Sequence, residues 1–459
     1  MQQPGPRPSD ATLDEPQARL TGEDLARYAK EFTTSPQNRL MQNAVSRRPV
    51  TDVALDRGVV TSIDTTVSHR LTDRKVSDQK KSGRCWLFAG LNLLRTGTAA
   101  RRGVKDFEFS QNHLLFWDKM EKANHFLESV LDTRDRDVDD RTVAHLLSTP
   151  SEDGGQWNMF VALVSKHGLV PLSAMPETES SSHTAPMNEV LSQLLRKAAR
   201  DLRTLADGGA DLERLREHKE STLEAVHRLL AIHLGTPPHE FFWQWTDDEK
   251  SFHRDGVLTP RQFAERYLTV SLEDYVCVVH DPRPSSEPGR TYTVEYLGNV
   301  VGAPPVVYLN VGIDLLRTLA MDTIVGGEPV WFGCDTGKMS DSELGVWDVA
   351  LYDYDGVYAT DLSMPKADRL LYHDTLMTHA MLFVGVDVLD GTPRKWRVEN
   401  SWGDTRGDKG LFTMNDSWFG EYVFEIAVRR DALPAELQGA LDAAPVVLPA
   451  WDPMGALAG

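Results

Sequence analysis

The chain has 459 residues, is 41% hydrophobic and carries a formal net charge of −19 at pH 7. That length implies two to three domains, or one large domain with a substantial insertion. The acidic balance argues against a nucleic-acid backbone as partner, since that requires clustered Lys and Arg. No stretch approaches the ~18 uninterrupted apolar residues of a membrane-spanning helix. The three cysteines, an odd number, build no disulfide framework and fit a reducing compartment. The opening MQQPGPRPSDATLDEP has no apolar core of a signal peptide, so a cytoplasmic location is expected.

Residues 1–20 are rich in Pro and polar groups and read as a disordered lead. From Thr21, TGEDLARYAKEF predicts a helix with a Thr cap and early acidic residues. Residues 34–80 look loop-like around the short β-prone run GVVTSI. CWLFAGLNLLRTG predicts an apolar, buried helix from Cys85 to about Arg95. A long amphipathic helix is expected from Phe109 to Leu131, and another from near Gln156 to Gly168. Residues 178–270 are helical and charged, broken at Asp207-Gly208-Gly209, and read as an insertion solvated on one side. After Ser271 the pattern turns to strands: YVCVVH, TYTVEYLG, PVVYLNV, EPVWFGC, AMLFVGVDV, KWRVENSW, GLFTM and EYVFEIAV. Helices first and strands last imply an α+β protein with two lobes.

The most informative stretch is DQKKSGRCWLFAG. Cys85 opens a helix there, where the positive end of the macrodipole favours thiolate; thiols in such settings titrate at about 3.5–7.5. A buried core cysteine at a helix start is the plainer alternative. Six residues earlier, Gln79 carries an amide able to donate to a developing oxyanion together with the backbone N–H of Cys85. A thiolate needs a proton carrier. His379, one of 14 histidines, starts an apolar strand run in TLMTHAMLFVGVDV. In KWRVENSWGD, Asn400 ends a strand and is placed to orient an imidazole, with Trp402 covering that hydrogen bond from water. Each piece is weak alone, whereas the order Gln, Cys, His, Asn-Ser-Trp-Gly is specific.

These residues resemble papain-type cysteine peptidases, and most closely the bleomycin hydrolase and aminopeptidase C branch. The matching stretches are QKKSGRCWLFAG, FSQNHLLFWDKM, DGGQWNMFVALVSKHGLVP, EPVWFGCDTGK, TLMTHAM, RVENSWGD and LPAWDPMGALA. The resemblance implies a papain-like fold with Cys85 as nucleophile, His379 as general base and acid, Asn400 as its orienter and Gln79 as oxyanion donor. Asp153, Gly154 and Gly155 match the segment lying along the substrate backbone, where glycine lets a peptide approach closely; an ordinary turn is the alternative. Cys277 and Cys334 match no nucleophile motif and read as core residues. The implied layout is a helical lobe over 21–177 with Gln79 and Cys85, the helical insertion over 178–270 for oligomerisation, a β-rich lobe over 271–447 with His379 and Asn400, and a C-terminal arm over 448–459.

By the same resemblance the insertion builds a homo-oligomer, a ring-shaped hexamer with inward-facing sites. No metal or organic cofactor is implied. The arm is expected to enter the cleft with Ala458 and Gly459 beside substrate, its carboxylate meeting the free amino group of a peptide, and with removal of Gly459 by the enzyme itself as a further expectation. The expected activity is a cysteine aminopeptidase, with bleomycin-hydrolase-like amide hydrolysis. An endopeptidase with the same triad and an oligomeric nucleic-acid-binding scaffold are the competing readings; the intact Cys85, His379, Asn400 set and the acidic charge weigh against the latter.

Overall fold

The computed structural model describes residues 18–71 and 74–459, so the disordered lead expected over residues 1–20 falls almost wholly outside the described residues. The chain divides into two compact units. One joins residues 18–62 to Ala350–Ser363, and the other joins Ile63–Val349 to Met364–Gly459.

The first unit shows local capping outweighing β propensity. Thr21 and Asp24 form a capping box at the start of helix Gly22–Thr34. Ser35 caps the next helix, Pro36–Val45, by accepting from the Asn38 N–H, with Pro36 at its first position. The run GVVTSI, read from sequence as β-prone within a loop, lies largely in a helix, Arg57–Ser62. The Asp56 carboxylate accepts from the Val59 N–H at 2.9 Å and fixes that first turn. The chain gains only an isolated bridge there, Leu55 to Tyr352, so β-branched residues have no sheet to join.

The second unit holds an α+β core. Its sheet has twelve strands among the described residues. Across its centre, Tyr275–Val279, Val423–Arg429, Val330–Cys334, His379–Leu389, Thr392–Glu399 and Leu411–Asn415 lie side by side, each antiparallel to the next. Each of the eight runs read as strands from the sequence contains a strand, though TYTVEYLG and PVVYLNV are strand only over Thr291–Val294 and Tyr308–Asn310. Short pieces such as His69–Arg70 and Val346–Trp347 lack enough residues to show a period. Both faces of the sheet are covered. Phe332, Phe383, Trp396 and Phe419 pack on one face, with Phe332 and Phe383 stacked at 3.8 Å. Helix Cys85–Arg102, with Trp157 and Trp331, packs on the other. Double coverage explains why Val330–Cys334 is buried at every position.

The Cys85 helix runs to Arg102 rather than ending near Arg95. Gly97 is no stop: a Cβ there would lie 1.8 Å from Thr269 Oγ1, so the glycine serves close packing. The helix ends instead at Gly103, whose φ of 61° suits a left-handed cap. Helix Gln111–Asp132 buries part of its polar face as well, including Asp118, Lys119 and Lys122, because that face holds the loop of Asp153. In the insertion, helices Ala185–Asp207 and Leu212–Leu234 pack on Gln111–Asp132. The following segment departs from the helical expectation. FFWQWT and FHRDGVL form a two-stranded hairpin. Trp243 and Trp245 face inward, stacked at 5.7 Å, while Phe242, Gln244 and Thr246 face outward, a period of two rather than 3.6.

Candidate active site

Cys85 occupies the first position of its helix and is 4% exposed. Its Sγ accepts from the Ala380 N–H at 3.4 Å, so the thiol sits against the backbone immediately after His379. His379 begins the strand that the helix packs on, in register with Cys334. One strand further, Asn400 follows Thr392–Glu399.

The hydrogen bonds around Asn400 fix the imidazole tautomer. Asn400 Oδ1 accepts from the Ser401 N–H at 2.8 Å, and a backbone amide only donates. The same oxygen lies 2.9 Å from His379 Nε2, so Nε2 carries the proton and Nδ1 is left basic. The Trp402 ring lies 5.0 Å from the imidazole, tilted by 36°. Gln79 is drawn to the same place. Its segment pairs with residues 401–403, through Gln79 N–H to the Ser401 carbonyl at 2.8 Å and Gly403 N–H to the Ser77 carbonyl at 3.1 Å. The Ser401 hydroxyl donates to Gln79 Oε1, which sets the face of the amide; Nε2 donates to the Ser82 carbonyl with one of its two hydrogens. Ser401 was quoted in the sequence motif without a role. Its link crosses 322 positions, and no local pattern signals it.

The electrostatics reverse one expectation. Burial pushes the Cys85 thiol up to about 11, against the lowering effect of the N–H groups of Ala380, Trp86 and Cys85 itself. Burial likewise pushes His379 down to about 4, against its bond to Asn400. The helix end does favour thiolate, but desolvation of the buried sulfur is the larger effect. Burial thus favours the uncharged pair, thiol and neutral imidazole, over the thiolate that the helix end favours.

Asp153, Gly154 and Gly155 divide their work. Burial alone would raise the Asp153 carboxyl; Lys119 at 2.8 Å, Thr184 and the Gly83 N–H hold it well below the carboxylate range. Asn188 donates to its other oxygen at 2.8 Å. The side chain thus faces the protein and anchors the loop before Cys85. The Asp153 carbonyl accepts from Trp86 Nε1 at 2.7 Å, and Gly155 lies under that indole, where a Cβ would be 2.5 Å from the ring. Residues 177–188 brace the same loop. Glu177 takes both arms of Arg84 at 2.7 and 3.0 Å, and the Ser182 carbonyl accepts from the Lys81 N–H.

The arm comes to Gly154. Asp452 accepts from the Met454 N–H at 2.9 Å and starts a 3-10 turn over Pro453–Ala458. Arg283 grips Asp452 with both arms at 2.9 and 3.1 Å while also holding Asp281. Tyr308 donates to the Met454 carbonyl at 3.1 Å. Met454 and Leu457 are each 3% exposed and share a core cluster with Cys85, Met377 and Ala380. A Cβ on Gly154 would lie 2.2 Å from the Leu457 carbonyl oxygen and 3.1 Å from the Ala458 carbonyl carbon. The arm therefore lies, as a capped 3-10 turn, on the glycine expected beside a substrate backbone.

Known proteins are similar to this chain along nearly its whole length. The model of the Peptidase C1-like family matches residues 19–455. The bleomycin hydrolase of Homo sapiens is 40% identical over 96% of this chain and 99% of its own length. The aminopeptidase C of Streptococcus thermophilus is 43% identical over 91% of this chain and 94% of its own. The crystal structure of PepW from Lactobacillus rhamnosis superposes with a TM-score of 0.94 at 44% identity, covering 96% of this chain and 99% of that one.

Proposed function

The chain belongs to the Peptidase C1-like family of papain-like cysteine peptidases, and we propose that it is an aminopeptidase whose own C-terminal arm sets where peptides are cut. Cys85 is the nucleophile. As its sulfur attacks the scissile carbonyl, the thiol proton passes to Nδ1 of His379, which is neutral and basic because Nε2–H is held by Asn400. The tetrahedral oxyanion is met by Gln79 and the backbone N–H at the helix start, donors of a kind worth about 10²–10³ in rate. His379 returns the proton to the leaving amine, and water activated by the same imidazole then cleaves the thioester.

The observation that carries the aminopeptidase reading is the seat of Leu457 and Ala458 on Gly154. Residues preceding a substrate's first residue would collide with the arm at Gly154. The relatives named aminopeptidase C support this reading, and those named bleomycin hydrolase extend it to bleomycin-hydrolase-like amide hydrolysis. The test is deletion of Met454 to Gly459. The intact enzyme is expected to cleave free-amine peptides and barely cleave N-acetylated ones; the truncated enzyme gains cleavage within N-acetylated peptides. Identical products from both forms would reduce the arm to a packing element and leave the endopeptidase reading.

A homo-hexamer accompanies this function. The outward face of the hairpin exposes Phe242, Phe252 and Val257 by 56–58%, apolar area that a second copy would cover. Light scattering showing only monomer at micromolar concentration would contradict it. No helix among the described residues is long and apolar enough to cross a membrane, and all three cysteines are unpaired, which suits the cytoplasm.

A further inference from the structure

A cavity of about 290 Å³ lies along the end of the arm, bounded on one side by Ala456, Ala458 and Gly459 and on the other by residues 149–152. Ser151 lines it, is 2% exposed, and its Oγ has no hydrogen-bond partner among the described residues. A buried hydroxyl without a partner is costly unless something supplies one. Beside it, Glu152 is half-buried, and no hydrogen bond or ion pair among the described residues engages its carboxylate. Glu295 faces the same cavity, with Arg136 no nearer than 4.0 Å.

The other cations nearby do not neutralise Glu152. Lys122 is engaged by Asp118 at 2.8 Å and by the Glu152 and Gly154 carbonyls. Burial lowers His125 and His145, both of which line the cavity, leaving them neutral at pH 7. The cavity therefore offers a partly desolvated carboxylate and a hydroxyl acceptor without a matching cation.

We propose that Glu152 selects peptides whose first residue is lysine or arginine, the cationic side chain lying in this cavity between Glu152 and Ser151. The inference rests on the aminopeptidase reading. Glu152 precedes Gly154 by two residues, roughly 7 Å of extended chain. A lysine or arginine side chain spans that interval from the ground beside the arm; alanine does not. A charge-assisted hydrogen bond in such a setting is worth about tenfold in binding.

The experiment compares kcat/KM for Arg-, Lys-, Leu- and Ala-arylamides with their N-acetylated forms, in the wild type, E152Q, E152K and S151A. The wild type is expected to favour Arg and Lys. In E152Q the ratio of Arg to Ala falls about tenfold, mainly through KM, further in E152K and less in S151A. An unchanged ratio in E152Q, with free-amine turnover intact, overturns the inference alone. An equal loss on all four substrates also overturns it, since Glu152 would then support the fold or the common amino group. Cleavage of acetylated and free substrates at equal rates overturns the aminopeptidase reading, and this inference with it.

Discussion

Ser401 joins the two halves of the candidate site through a pair of atoms. Its N–H fixes Asn400 Oδ1, and hence the His379 tautomer, while its hydroxyl fixes the Gln79 amide. Ser401→Ala is therefore expected to lower kcat while leaving the fold intact, by less than Gln79→Ala, since it loosens a donor that the other removes at a cost of about 10²–10³. Steady-state kinetics with circular dichroism check the order; equal activity of Ser401→Ala and wild type would contradict it. Cys85→Ala is expected to abolish turnover without unfolding. Asn400→Ala should cost much less than His379→Ala, because it frees the ring without removing it. Gln79, Cys85, His379 and Asn400 were legible because their order and neighbours form a motif. The thiol's titration was not. The sequence shows the helix end that favours thiolate but not the burial that outweighs it, because burial depends on Ala380 and on packing around the sulfur.

The start of the insertion reaches the site, although its charged sequence pointed only to assembly. Thr184 and Asn188 hold Asp153, which holds Gly83 two residues before Cys85. Asp153→Ala would leave Lys119, whose side chain is fully buried, without its partner. Removing one member of such a pair costs about 3–5 kcal/mol. The variant is expected to lose stability on that scale in urea titrations and to lose activity in its remaining folded fraction. Asp153→Asn should lose less, since its single amide oxygen can still accept from Gly83 and Thr184. A midpoint unchanged in Asp153→Ala would contradict the clamp. Long helices and alternating strands were readable from periodicity. Composition does not separate the hairpin of residues 241–258 from the charged helices before it; only the alternation of FFWQWT does. Helix Arg57–Ser62 is hidden for the opposite reason: GVVTSI reads as β-prone within a loop-like stretch, and the Asp56 cap decides otherwise.

Over the whole molecule, buried titratable groups make stability depend on pH in a direction the net charge of −19 does not reveal. Burial holds His113, His280 and His379 at about 4, against about 6.5 in the unfolded chain. The unfolded state thus binds more protons between those values. The stability these residues confer is present above about 6.5 and lost as pH falls towards 4, at up to ~1.4 kcal/mol per pH unit for each. Burial lowers His125 and His145 in the same sense. Glu425 opposes them: burial raises it to about 8, so its contribution is present below about 4.5 and is lost as pH rises to 8. Burial also raises Asp118 and Glu399, which oppose the histidines at the acid end. On the alkaline side Lys366, lowered to about 7 by burial, gains as Glu425 loses. The expected profile is a shallow plateau from pH 7 to 8 and a steep fall from 6.5 towards 4.5, where three histidines outweigh one glutamate. Urea midpoints at fixed ionic strength across that range provide the measurement, with turnover recorded in parallel. Activity should follow the folded fraction down to about pH 5 and fall faster only nearer 4, as His379 itself takes up a proton. A midpoint that holds level from pH 7 to 4.5 would mean that these imidazoles are charged or solvated in the folded protein, and the neutral His379 on which the proton transfer depends would fall with it.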